Sequence, residues 1–141
     1  MNILAGEPLM TKTLTIKKPD YHPKGWGYEL WIHNDSKYCG KLLFFKEGKR
    51  CSLHYHKIKH ETFYLQSGRM LLEYYPEVED VVMEGICRFS GEYTETLLTP
   101  GDSFEVPIYT PHRLIALEDS ELFEFCTQHF ETDSHRIVKG D

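Results

Sequence analysis

Between Gly48 and Gly68 the chain reads GKRCSLHYHKIKHETFYLQSG, which sets His54 and His56 two residues apart and Glu61 five residues further on. A later stretch, LLTPGDSFEVPIYTPHRLIAL from Leu97 to Leu117, carries a loop bracketed by Pro107 and Pro111 that delivers His112. Residues two apart on a strand project to the same face, so His54 and His56 can enter one cavity only if their segment is extended; a helix would splay them. Pro100 and Gly101 mark a turn, and Leu65 to Gly68 reads as a strand running into another. Glu61 is then expected to join the histidines from the second strand of a hairpin. The pattern demands short strands held between tight turns.

Three imidazoles and a carboxylate make a donor set for one divalent transition metal. Imidazole suits zinc, copper, iron, nickel and cobalt, and the carboxylate admits manganese, so the metal's identity stays open. The ligands must be neutral histidines and an ionised glutamate, so binding should weaken in acid. An HxH pair alone is weak evidence; the joint spacing of four ligand types and their flanking turn residues carries the reading.

The rest of the chain favours β structure. Aromatics make up 13% of the 141 residues, and strand-length apolar runs recur: LLFF from Leu42, MLLEYY from Met70 and LFEFC from Leu122. Sustained helical periodicity is absent. The length suits a single core and is short for two domains. A net charge of −6 with no basic run argues against a nucleic-acid surface. No apolar stretch approaches a membrane span, and the first residues, MNILAGEPLMTKTLTIKKP, lack the long apolar region of a secretory signal, so the expectation is a cytoplasmic protein. Cys39, Cys51, Cys87 and Cys126 form no CxxC pair and read as reduced, mostly buried thiols.

Residues 1–20 read as an arm. TKTLTIKK alternates and could form an edge strand, exchanged with a neighbouring subunit in a homodimer, while Pro19, His22 and Pro23 break structure before a single domain over 21–141. The stretch 76–99 is longer than a simple connection needs, and its acidic tip, PEVEDVVMEG, suggests a solvated hairpin extension.

The two motifs resemble those of the cupin superfamily. The first matches at Gly48, His54, His56, Glu61 and Gly68; the second matches at Gly101, Pro107 and His112, with Tyr109 where a glycine is usual and Ala116 where an asparagine is usual. The resemblance implies an all-β fold, a double-stranded β-helix or jelly-roll barrel, here with an N-terminal arm and few short helices, and a metal held by His54, His56, Glu61 and His112. With KGWGYELWI from Lys24, PHRLIAL from Pro111 and EFCTQHFETDSHRIVKGD from Glu124 added, the chain is similar to the cupin domain of type II mannose-6-phosphate isomerases from Lys24 to Asp141. That likeness implies a metal-dependent isomerase or epimerase of a sugar or sugar phosphate, working through an enediol. Those domains commonly carry glutamine where this chain has His54. Three histidines and a glutamate are the set of cupin oxygenases and oxalate-degrading cupins, so a dioxygenase or a lyase of a small organic acid is the alternative, and a non-catalytic sugar-binding cupin is a second.

Candidate catalytic residues are Lys41, Tyr109 and Arg113. Lys41, Lys57, Lys59, Arg113 and Arg136 could meet an anionic substrate, with Lys41 the strongest candidate; strand alternation points Arg113 away from His112. Tyr55, Tyr64 and Tyr109 could supply a phenol, of which Tyr64 should face outward. Trp26, Tyr28 and Trp31 could stack on a sugar ring, but the alternation of Trp26, Tyr28 and Leu30 better suits a strand with that face packed on the barrel.

Overall fold

The computed structural model describes residue 6 and residues 8–81, 86–89 and 91–141; over 78–81 and 86–89 it is the backbone that is described. The strands are β1 (Asp20–Lys24), β2 (Gly27–Asn34), β3 (Cys39–Phe45), β4 (Leu53–Tyr55), β5 (Glu61–Ser67), β6 (Met70–Tyr74), β7 (Val78–Val81), β8 (Ile86–Phe89), β9 (Thr94–Leu98), β10 (Ser103–Val106), β11 (His112–Ala116), β12 (Ser120–Cys126) and β13 (His135–Val138). Helical structure among the described residues is a single 3₁₀ turn, Glu131–Asp133. No helix among them is long and apolar enough to cross a membrane, which leaves β-barrel membrane proteins unaddressed.

Two antiparallel sheets face each other. One runs β1-β2-β3-β12-β5-β10 and the other β13-β4-β11-β6-β9, while β7 and β8 pair separately. The expected all-β jelly-roll barrel is what forms. The stretch 76–99 holds the β7–β8 ladder and then β9, a barrel strand paired with β6; its tip at 82–85 lies outside the described residues.

Strand alternation grades the inner face of the six-stranded sheet. On β3 the buried residues are Cys39, Lys41, Leu43 and Phe45, and on β12 they include Ser120, Leu122 and Glu124. Leu43 stands opposite Leu122 and Lys41 opposite Glu124. One end of the barrel is therefore filled by Leu43, Phe45, Phe63, Leu65, Met70 and Leu122, and the other end by ionisable groups. Burying the apolar end stabilises the fold by roughly 1.5–3 kcal/mol per large side chain, which is what allows the polar end to stay open for chemistry.

Three local expectations change. Pro23 sits within β1, opposite Tyr28, because an edge strand tolerates a residue without an N–H. Trp26 lies in the turn before β2 and stacks on Phe45 at 4.0 Å, so it belongs to the core, whereas Tyr28 and Leu30 face outward and stand opposite the half-buried Phe44 and Leu42. The turn between β1 and β2 breaks the alternation that would have put all three on one face. Residues 8–19 form no strand within this chain.

Candidate metal centre

His54 lies on β4 and His112 starts β11, directly opposite each other in the ladder of the five-stranded sheet. His56 follows β4. Glu61 starts β5, which belongs to the other sheet, so β4 and β5 form no hairpin; the chain crosses the barrel between them and Glu61 meets the histidines from the opposite wall. One ring nitrogen from each of His54, His56 and His112 lies within 4.8 Å of the others, an arrangement that could hold a metal ion.

Backbone carbonyls orient all three rings. Nδ1–H of His54 donates to Ser52 (2.9 Å), that of His56 to Asp133 (2.9 Å) and that of His112 to Thr110 (2.8 Å). A carbonyl oxygen only accepts, so each Nδ1 carries a proton, and in the neutral ring that leaves Nε2 with a free lone pair. Anchoring the far nitrogen in this way is how proteins fix a ligating imidazole. Nε2 of His56 and Oε2 of Glu61 are buried with no hydrogen-bond partner, although Nε2 of His112 is 3.2 Å from that oxygen and Nε2 of His56 is 3.3 Å from Oε1. Buried polar atoms without partners are costly, and these fit a site that closes around a cation.

Charge keeps His54 and Glu61 ready as donors, while Glu61 favours the protonated form of His112. Burial, helped by His112 and His56, pushes His54 down to about 3, so it is neutral at physiological pH. Burial works against ionised Glu61, but the ammonium of Lys59 and the flanking histidines hold it well below the usual carboxylate range. His112 is buried as well, and Glu61 raises it in spite of that.

Lys59 connects this centre to a second group of charges. Its three N–H groups reach Oε1 of Glu61 (2.9 Å), Oε2 of Glu124 (3.3 Å) and Nδ1 of His129 (3.2 Å). Burial opposes its charge, yet Glu124 and Glu61 lift it above the ordinary lysine value. Lys41 is 3.4 Å from Glu29, 3.9 Å from Glu124 and 4.6 Å from the centre of the Trp31 ring. Together these groups line a cavity of about 380 Å³ with His54, Glu61 and His112 at its inner end, and with Lys24, Glu131 and Arg136 also on its wall. That volume suits a small ligand.

The tail builds part of this wall. Asp133, 3% exposed, accepts backbone N–H groups from Lys57 (2.9 Å), Ile58 (3.2 Å) and Lys59 (3.0 Å), while its own carbonyl holds His56. One aspartate thus positions both a candidate ligand and the lysine beside the centre.

The other sequence candidates are spread out. Lys41 lines the cavity, but its charge is already answered by Glu29 and Glu124. Arg113 pairs with Glu73 at 3.8 Å and lies outside the cavity lining, as alternation implied. Tyr109 is also outside it; its N–H donates to the His56 carbonyl (2.7 Å), and its φ of 59° explains why a glycine would be at home there. Tyr55 packs beside Tyr109 and His135, and Tyr64 faces outward as expected. Trp31 reaches the cavity, but His22 stacks on it at 3.9 Å and Lys41 lies over its ring, so it is not a free platform. Glu29, Glu124 and His129 went unnoticed in the sequence. Parity could have found Glu124, two residues from the apolar Leu122, but the expectation that Trp26, Tyr28 and Leu30 face inward put Glu29 on the outside.

Cys39, Cys51 and Cys126 are free thiols; Cys87 lies on β8, where side chains are outside the description. Cys39, Cys126 and Glu124 also bring possible ligand atoms within 4.8 Å of one another, but two ammonium groups crowd Glu124 and oppose a cation there.

No family model matches the chain, and no curated protein matches it in sequence. Among solved structures it is similar to KdgF from Halomonas sp., with a TM-score of 0.62 and 19% identity over 80% of this chain and 91% of that one. It is also similar to an oxalate decarboxylase from Bacillus subtilis (TM-score 0.67, 18% identity, 90% of this chain, 34% of that one). An L-ribose isomerase from Cellulomonas parahominis aligns with a TM-score of 0.63 and 20% identity over 74% of this chain and 62% of that one. The chain thus spans about a third of the decarboxylase and under two thirds of the isomerase. These neighbours share the two facing sheets that carry the histidines here: the chain has the cupin fold.

Proposed function

We propose that this chain is a metal-dependent enzyme that interconverts an aldose and its ketose by moving a proton between adjacent carbons, or two epimers by removing a proton and returning it to the opposite face of the same carbon. The observation that carries the reading is the junction of two features: three imidazoles anchored through Nδ1 on backbone carbonyls, His54 and His112 of them on the cavity wall, and a buried carboxylate–ammonium chain running from Glu61 through Lys59 to Glu124. His54, His56, His112 and Oε2 of Glu61 would hold the metal, and Lys59 would keep the other oxygen of Glu61 fixed. When bound, the metal supplies a Lewis acid for the carbonyl and neighbouring hydroxyl oxygens of the substrate.

Proton transfer then falls to the chain's own side chains. Glu124 takes the proton from the carbon beside the carbonyl and returns it to the adjacent carbon while a proton passes between the two substrate oxygens, so the net change is isomerisation. Lys59, its N–H groups taken up by Glu61, Glu124 and His129, holds both carboxylates in place. Lys41 holds Glu124 and Glu29 in place. Because Lys41 and Lys59 are already paired with carboxylates, the inner cavity suits hydroxyl groups; a phosphate, if the sugar carries one, is met by Arg136 on the cavity wall, since Lys24 also faces a carboxylate, Glu29, at 3.8 Å. The likeness to L-ribose isomerases and the sequence resemblance to mannose-6-phosphate isomerases support this reading.

His54 supports a second reading, a lyase or dioxygenase of a small organic acid, in keeping with the likeness to oxalate decarboxylases. One experiment separates the two. The protein, loaded in turn with zinc, manganese, cobalt or iron, is given a panel of aldoses, aldose phosphates and small dicarboxylic acids in D₂O. Deuterium at C2 of a sugar, abolished by Glu124→Gln, is the expected result. Oxygen uptake or carbon dioxide release from an acid, with no exchange into any sugar, would transfer the assignment to the second reading.

A further inference from the structure

The outer face of the six-stranded sheet carries an apolar band across five of its strands. An antiparallel sheet with a core on one side ordinarily turns polar residues to solvent on the other. Here Tyr21, Leu30, Leu42, Phe123 and Tyr64 stand on the outer face, each directly opposite the next, as an unbroken band across β1, β2, β3, β12 and β5. Tyr28 and Phe44 widen it, their rings stacked at 5.1 Å, and Tyr21 lies 5.4 Å from Tyr28. Tyr21 is 60% exposed and Phe125 56%. Gly40, opposite Phe125, leaves open space where a side chain would stand.

The arm is the second observation. Leu9, Met10, Leu14 and Ile16 are each more than four-fifths exposed, and the arm runs directly into β1, the edge strand of this same sheet. One chain therefore presents an apolar face and, at the rim of that face, an apolar strap with nothing to pack on among the described residues.

We propose that the outer face of the six-stranded sheet is the interface with a second copy of this chain, the two faces packed about a two-fold axis with each arm laid across its partner. Area supports the commitment to a second copy. Five strands about 4.8 Å apart and about 20 Å long give a face of about 19 by 20 Å, or about 400 Å² in projection. Side-chain relief and the arm bring this toward the ~800 Å² per partner of a stable interface. A transverse apolar band is also self-complementary under a two-fold rotation, because rotation lays it on its own copy. The interface lies on the far side of the sheet from the cavity and leaves the metal centre's access unchanged.

Sedimentation equilibrium of the full chain tests this. The expected wild-type mass is twice the 16.6 kDa of the monomer at micromolar concentration. Phe125→Asp should yield monomer, and the double variant Leu14→Asp, Ile16→Asp should weaken the dimer at least about tenfold. The arm residues have no packing to lose within one chain, so this second variant should keep the wild-type circular-dichroism melt at high dilution and tests the interface even if Phe125→Asp fails to fold. A wild-type monomer at about 100 µM, or a dimer indifferent to both variants, would overturn the proposal.

Discussion

Replacing Asp133 with alanine is the sharpest perturbation of the wall that holds the candidate site. The buried carboxylate accepts N–H groups from three successive residues, Lys57, Ile58 and Lys59. Hydrogen bonds to a charged acceptor contribute about 1.5–3 kcal/mol each, and a buried donor left alone costs about 1–3 kcal/mol. Ile58 is 63% exposed, so water can reach part of this loop and the three losses do not add in full. The expected cost is about 3–4 kcal/mol, read as a drop in the urea midpoint of about 1.5–2 M at unchanged slope. Asp133→Asn keeps one acceptor oxygen and should cost about half as much, because its amide nitrogen faces donors on the other side. Both variants loosen the Asp133 carbonyl that orients His56, so metal affinity should fall by roughly 10–100-fold. A destabilisation below about 1 kcal/mol for the alanine variant would refute the claim that this carboxylate organises the loop.

Three further outcomes follow from other parts of the molecule. Leu122→Ala, at a fully buried position facing Leu43 and Leu65, should cost about 2–5 kcal/mol in the same urea experiment. Burial pushes the Cys51 thiol up to about 11, so at pH 8 only about one molecule in a thousand carries the thiolate; iodoacetamide should label Cys51 in urea and not in the folded protein. The N–H groups of Lys37 and Tyr38 hold Asp35 at about 2, below its ordinary 3.8, so its stabilisation is complete above the higher value and is lost as pH falls toward the lower one. The difference in melting temperature between wild type and Asp35→Asn should therefore be flat near neutrality and shrink below pH 3.8.

The histidines were legible because strand periodicity and turn residues are local. His54 and His56 sit two apart on extended chain, and Pro107 to Pro111 must loop before His112. Glu61 was legible as a donor but not in its position: the four residues between His56 and Glu61 read as a turn, and nothing local says whether such a turn folds back or crosses to the opposite sheet. Lys41 could be picked out as a lysine preceding the first motif, but its value for anion binding depended on Glu29 and Glu124, which come from other strands. Asp133 and His129 were invisible for the same reason. Their partners lie far away in sequence, and an acidic residue near a chain end ordinarily reads as solvated. The band on the outer face was hidden in apolar runs such as LLFF, where alternation alone cannot say that both faces are greasy for different reasons.

The central claim is that His54, His56 and His112 present Nε2 to one metal ion. Calorimetric titration of the chelator-treated chain with cobalt tests it most directly. The account predicts one ion per chain, a loss of about a hundredfold or more in affinity for alanine at any of the three positions, and affinity within about threefold of wild type for His135→Ala, whose ring lies beside the site but packs on Tyr55. Binding that survives His112→Ala, or that depends on His135 as strongly as on His54, would contradict it.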